Sequence, residues 1–275
     1  MVQETVSAMS IFCMAITGLI SFCIPFALFI YFRKKKHADV LPFFIGMAVM
    51  LVFALIVESL VHQLVLNVLP VGKAIINSIW LYALYGGLMA GLFEETGRFV
   101  AFKTLLKKYQ YKDVNALMYG AGHGGFEAAA LIGMTMISNI VIAIMINSGL
   151  TSVLTKTATA ETLPQIEAML DTLKTTAPYT YLIGLIERLL AVFLQLALSV
   201  LVWFAAKEKD KWYLYPLAIL LHFLIDGSLV VVAHYIESLW IVYGVLLIET
   251  AVIVWIAYLT WKRNAKAEAH EDQTV

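Results

Sequence analysis

Seven apolar runs, at about 7–32, 41–66, 74–97, 114–147, 179–206, 212–235 and 238–261, dominate this sequence, and each is long enough to cross a bilayer. A hydrocarbon core about 30 Å thick takes about 20 helical residues to span. Inside it only helices and closed barrels satisfy every backbone N–H and C=O, and the roughly ten-residue alternating segments of a membrane barrel are absent. The expected fold is therefore all-α. It is a polytopic membrane protein of about seven transmembrane helices, built as one integral membrane domain over residues 1–275. Only 14% of residues are charged, against about 25% in a soluble domain, so a wholly water-facing surface is excluded. The lysines fall in short clusters at helix ends, which leaves no nucleic-acid signature.

Those clusters set the expected orientation. The connections 33–40, 98–113 and 207–211 and the tail carry fifteen lysines and arginines, whereas the alternate connections carry three, Lys73, Lys156 and Lys174. By the positive-inside rule the N-terminus lies outside, and the C-terminus, with the 262–275 tail (Lys262, Arg263, Lys266), is cytoplasmic. The N-terminus lacks a basic stretch and a cleavage site, so the first span is expected to be retained.

The one large outer connection is 148–178. Within it Ile166, Met169, Leu170 and Leu173 share one face of a helix over 164–174, with Pro164 suited to its first turn. This short amphipathic helix is expected to lie on the outer leaflet, with a lid over a substrate as the alternative. Cys13 and Cys23 are about 15 Å apart along a helix, too far for a disulfide, and are expected to be core thiols.

Three polar constellations interrupt the apolar background. Gly-Leu-Phe-Glu-Glu-Thr-Gly-Arg, residues 91–98, places Glu94, Glu95 and Arg98 at the end of the third run. On a helix either carboxylate reaches the arginine, at i,i+4 or i,i+3. A carboxylate in hydrocarbon costs a few kcal/mol unless it is paired or faces a cavity. One glutamate held by Arg98 and a neighbour acting as general base is the functional reading; interfacial charges reaching for water are the alternative. Gly87 and Gly91 form a small-xxx-small step on the same helix, which favours close helix packing.

The second constellation is His123 with Glu127, amid Gly120, Gly122, Gly124 and Gly125. The third is His222 with Asp226. Each pair is spaced i,i+4, so the two side chains share a helix face, and the three helices are expected to meet around one polar site, covering about 80–235. Structural glycines, with His123 bonded between helices, are the alternative at the second. Glu187 and Arg188, about 100° apart on a helix, are a secondary candidate and do not pair simply with each other. Glu58 with His62, and Glu249, are expected to be structural or accessory; His37, His234 and His270 are expected to be solvated.

The order of these motifs resembles a broad clan of intramembrane proteases. It includes the type II CAAX-prenyl proteases, their bacteriocin-processing relatives, the PrsW proteases and the non-catalytic Aph scaffold of γ-secretase. The nearest resemblance is to the bacterial YhfC family, carried by Glu94-Glu95-Thr96-Gly97-Arg98, His123-x-x-x-Glu127, His222-x-x-x-Asp226 and Glu187-Arg188. Arg98 stands one residue closer to the glutamates than in the CAAX proteases, and Glu127 and Asp226 add acidity around the histidines.

The resemblance implies a multi-pass intramembrane peptidase of a bacterial plasma membrane, acting on a membrane-associated peptide or protein. In it Glu94 polarises a water and Arg98 holds Glu95, with Glu127 and Asp226 orienting His123 and His222. Its cofactor is either none or Zn²⁺ bound by His123, His222, Glu127 and Asp226. A non-catalytic scaffold or immunity factor and a proton-coupled transporter are the alternatives.

Overall fold

The computed structural model describes residues 5–156 and 158–265, and among them every regular element is a helix. Apart from single turns at Lys107–Tyr109, Ser152–Thr155 and Lys209–Lys211, these are in chain order α1 (Ala8–Lys35), α2 (Leu41–Val68), α3 (Val71–Ile76), α4 (Ile79–Lys103), α5 (Val114–Asn147), α6 (Leu163–Thr175), α7 (Pro178–Lys207), α8 (Leu214–Tyr235) and α9 (Leu239–Asn264). Six of them, α1, α2, α5, α7, α8 with its leading turn, and α9, are long and apolar enough to cross a membrane. The remaining expected span is α4. Its 25 residues make about 37 Å of helix, but Glu94, Glu95, Arg98 and Lys103 lower its apolarity. The chain is a polytopic helical membrane protein. Lys266, His270 and most of the 262–275 tail lie outside the described residues.

The break before α4 differs from the expected run at 74–97. Leu69, preceding Pro70, is extended, as a residue before proline tends to be. Ser78 is extended as well, and its hydroxyl accepts the Leu81 N–H at 3.4 Å, an N-cap that starts α4 at Ile79. The helix then runs to Lys103. Glu94, Glu95 and Arg98 consequently sit inside a helix rather than at its mouth. Within α2 and α5 the segments Met50–Glu58, Gln63–Val68 and Ala128–Gly133 widen to π-helical turns, a rare geometry that recurs near functional sites.

The chain forms two compact units. The first takes residues up to Pro25 together with Glu127–Leu189. Its core gathers Val6, Cys13, Met14, Met136, Ala143, Ile146 and Tyr181, and α6 lays Leu170 and Leu173 into it. Leu170 and Leu173 of the α6 apolar face therefore pack on protein, with Ile166 beside them, while Met169 is exposed. Cys13 is buried, but Cys23 is exposed. Ten residues turn a helix by about 1,000°, so the two thiols face different directions.

The second unit takes Phe26–Phe126 and Leu190–Val275 and is built on backbone-close helix crossings. A Cβ on Gly87 would stand 2.5 Å from Phe223 O, and one on Gly91 2.7 Å from Ile219 O, so α4 and α8 touch main chain to main chain. Across the α2–α5 crossing, a Cβ on Gly46 would overlap Tyr119 O and stand 2.8 Å from His123 N, and one on Gly122 would overlap Phe43 O. Such approaches need residues without side chains.

Gly122→Ala is accordingly expected to cost about 2–3 kcal/mol, the upper range for overpacking. Gly86→Ala, with nothing within 4 Å, is expected to be neutral within about 0.5 kcal/mol. Unfolding of the two purified variants in one detergent checks this; equal midpoints would sink the packing argument.

Candidate active site

Two carboxylates, two imidazoles and a guanidinium meet in the interior of the second unit. Glu95, Arg98 and His123 are 0% exposed, His222 3% and Glu94 7%. Burial of that depth excludes the interfacial alternative, in which these charges would reach water. An unpaired charge there would be very costly, so the hydrogen bonds decide how the site persists.

Arg98 pairs with Glu95 and not Glu94. Its Nη1 donates to Glu95 Oε1 at 2.8 Å and Oε2 at 2.6 Å. The same carboxylate meets His222 Nδ1 at 2.8 Å, and His222 Nε2 lies 3.5 Å from Asp226 Oδ2. The glycine face explains this meeting. Gly91 is one turn before Glu95, and Ile219, the residue it abuts, is three before His222. Helices that touch at Gly91 bring Glu95 and His222 into hydrogen-bond range.

Glu94 is held from other helices. Its Oε2 accepts from Gln195 Nε2 at 2.8 Å and stands 2.9 Å from His123 Nε2. Gln195 Oε1 in turn accepts from Arg98 Nη2. The amide is thus read in one orientation, oxygen to the cation and nitrogen to the carboxylate. Gln195 joins the two halves of the network, Glu94–His123 and Glu95–His222–Asp226, through Arg98. It is a site residue that motif spacing does not reveal. Its sequence signal is weak, a lone amide in the apolar run Leu189–Ala206. The glycines of α5 serve this contact too, since a Cβ on Gly124 would stand 2.8 Å from Gln195 Cβ.

The expected pairing of His123 with Glu127 is not what forms. His123 Nδ1 is buried without a hydrogen-bond partner among the described residues. Glu127, in the first unit, accepts from Arg188 Nη1 at 2.9 Å. Arg188 also binds its neighbour, donating from Nε to Glu187 Oε2 at 3.0 Å and from Nη2 to Oε1. The expectation that Glu187 and Arg188 do not pair is corrected: two long side chains bridge the angle that separates their Cα atoms.

Elsewhere in the second unit Glu58 Oε1 lies 3.2 Å from His62 Nε2, and His62 Nδ1 2.9 Å from Tyr85 Oη. Ser228 donates to Glu249 at 2.8 Å. His37 and His234 are exposed.

With this geometry in view, comparison with known proteins is decisive. A family model described as YhfC intramembrane metalloprotease matches residues 20–247. The chain belongs to the YhfC family. The uncharacterized membrane protein YhfC of Bacillus subtilis (strain 168) is 38% identical over 224 residues, 80% of this chain and 84% of that protein. No solved structure matches.

The YhfC description implies a metal, and the side chains fit one by donor chemistry. Imidazole and carboxylate are usual zinc ligands, and a histidine ligand commonly has its other nitrogen bonded to a carboxylate. That is the state of His123, with Nε2 on Glu94 and Nδ1 without a partner. Among the described residues, no three His, Cys, Asp or Glu side chains are assembled as a ligand group; each imidazole is bonded to a glutamate instead. The network holds three carboxylates, Glu94, Glu95 and Asp226, and one guanidinium, Arg98, which binds Glu95 alone among them; a cation or protonated imidazoles would offset that charge excess.

Proposed function

We propose that this YhfC-family protein is an intramembrane peptidase in which Glu94 activates the attacking water. The observation that carries this reading is the unequal use of the Glu94 oxygens. Both hydrogen bonds go to Oε2, from His123 and Gln195, which leaves Oε1 to accept from a water. Glu95, bound by Arg98 and His222, serves as the fixed anion that keeps both in register.

In the step this supports, Glu94 takes a proton from water as the water oxygen attacks the scissile carbonyl carbon. The C–N bond then breaks and the proton passes to the leaving amine. His123, when protonated, gives Nε2–H to Glu94 and presents Nδ1–H as a donor to the developing oxyanion. A preorganised donor in a water-poor site is worth a few kcal/mol of barrier. Asp226 orients His222 through Nε2.

Where a metal is bound, His123 and His222 with a carboxylate of Glu94 or Asp226 would hold it, and it would lower the pKa of a bound water to about 7. Glu127, engaged by Arg188, is not required for that set.

The test compares membrane and secreted peptides from cells carrying the wild type or Glu94→Gln at matched expression. A precursor that accumulates only with the variant, together with loss of its product, supports the peptidase. Identical profiles from a folded variant would shift the reading to a non-catalytic scaffold. Gln195→Leu is expected to slow the same processing by about 10–100-fold, because it removes a hydrogen bond to a charged group worth about 1.5–3 kcal/mol. A rate within twofold of wild type would remove Gln195 from the site.

A further inference from the structure

A hydrolase needs water, and the burial pattern indicates one direction from which it reaches this site. Glu95, Arg98, His123 and His222 are closed off, but the Asp226 side chain is 41% exposed. Asp226 lines a cleft of about 390 Å³ with His62, Leu66, Tyr82 and Tyr85. Three of these, His62, Leu66 and Tyr82, also line a second cleft of about 670 Å³, shared with Gln63, Asn67, Asn77 and His234. The two spaces thus meet at His62. Polar side chains interrupt walls that also carry Ile76, Ile79, Leu229 and Val230, whereas two other grooves of the same unit are apolar almost throughout, floored by Phe223 and Val231 in one and Leu196 and Val200 in the other.

The wider cleft opens beside Asn67 at the end of α2, Asn77 in the connection that leads to α4, and His234 at the end of α8. These belong to the connections poor in lysine and arginine. At the junction His62 is fixed on both ring nitrogens, by Tyr85 and by the buried Glu58. Glu58 is itself within electrostatic reach of Glu94, His222 and Asp226. A hydrogen-bonded phenol–imidazole–carboxylate chain, Tyr85–His62–Glu58, therefore stands where the two clefts meet.

We propose that the two clefts form one water-filled portal, open on the non-cytoplasmic side and narrowed at His62, that admits an extended polypeptide segment to Asp226, His222 and Glu94. What passes through it rests on the peptidase reading; its hydration and sidedness do not. Polar groups spaced along the walls suit a backbone that presents N–H and C=O groups at every residue, and the volumes exclude a folded domain.

Cysteine accessibility in the full-length chain tests it. Cys13 and Cys23 are replaced by alanine, and single cysteines are placed at Asn77, Leu66 and Leu229, with Ile248→Cys on the apolar, 66% exposed face of α9 as the reference. A thiol reacts as its thiolate, which apolar surroundings suppress. A membrane-impermeant sulfonated maleimide added to intact spheroplasts is expected to label all three portal positions at least about tenfold faster than Ile248→Cys. Rates at Leu66→Cys and Leu229→Cys equal to the reference would overturn the portal, and labelling only after the membrane is opened would overturn its sidedness.

Each variant is first matched to its parent by elution in detergent, and three positions keep one misfolded variant from deciding the result. The readout is independent of hydrolysis. Labelled clefts with unchanged peptide profiles would keep the portal and sink the peptidase. Unlabelled clefts beside a Glu94-dependent product would do the reverse.

Discussion

Glu94→Gln is expected to slow precursor processing by about 10²–10⁴-fold, the usual contribution of a general base, with little change in stability. The amide oxygen of glutamine still accepts from His123 Nε2 and Gln195 Nε2, the two groups that hold Glu94 Oε2. What is lost is the basic oxygen beside them. Product formation is followed by mass spectrometry against time after induction, and unfolding in detergent confirms that the variant folds. Residual processing above about a tenth of the wild-type rate would remove Glu94 from the role of base. Metal content of the two purified proteins, read by inductively coupled plasma mass spectrometry, gives a separate answer. Stoichiometric zinc in wild type that falls in the variant would make Glu94 a ligand, and retained zinc would favour Asp226.

Arg98→Met is expected to destabilise the protein by about 3–5 kcal/mol, the cost of breaking one side of a buried ion pair. Glu95 would lose both Nη1 bonds in a fully buried position, and Gln195 would lose its donor from Nη2. The charge, not the volume, is the cause, since methionine fills much of the same space. The double variant Glu95→Gln with Arg98→Met removes both charges and is expected to regain at least about half of that loss. Denaturant or thermal unfolding in a fixed detergent reads all four corners of the cycle. A single variant within about 1 kcal/mol of wild type would show that Arg98 is solvated rather than locked. The same reasoning makes Glu94 alone the informative catalytic substitution, because a change at Glu95 mixes loss of activity with loss of fold.

Much of the helical frame was legible in advance, because bilayer thickness imposes a length and hydrocarbon forbids unsatisfied backbone. The exception was the start of α4, where a proline and the Ser78 cap moved the helix onward by five residues from the expected 74 to Ile79. The acidic and imidazole groups were legible for a related reason. Glu94, Glu95, His123 and His222 are costly in an apolar run, so each announces a partner. Their partners were harder to read. Spacing of i,i+4 suggested Glu127 for His123, but α5 could satisfy Glu127 through Arg188, and His123 through Glu94 on another helix.

The sequence alone determined that this is a multi-pass helical protein, that it belongs with the YhfC pattern, and that buried charge must be paired within it. The first and third follow from composition and period, and the second from the resemblance of short motifs, all of which are local. Tertiary structure decided that Arg98 takes Glu95, that Gln195 bridges the two glutamates, and that Glu58, His62 and Tyr85 form a chain of their own. These contacts join residues as many as 101 positions apart. They exist because Gly46, Gly91, Gly122 and Gly124 let five helices, α2, α4, α5, α7 and α8, approach closely. A glycine records that a neighbour is close but not which neighbour, and only the packed helices supply that identity.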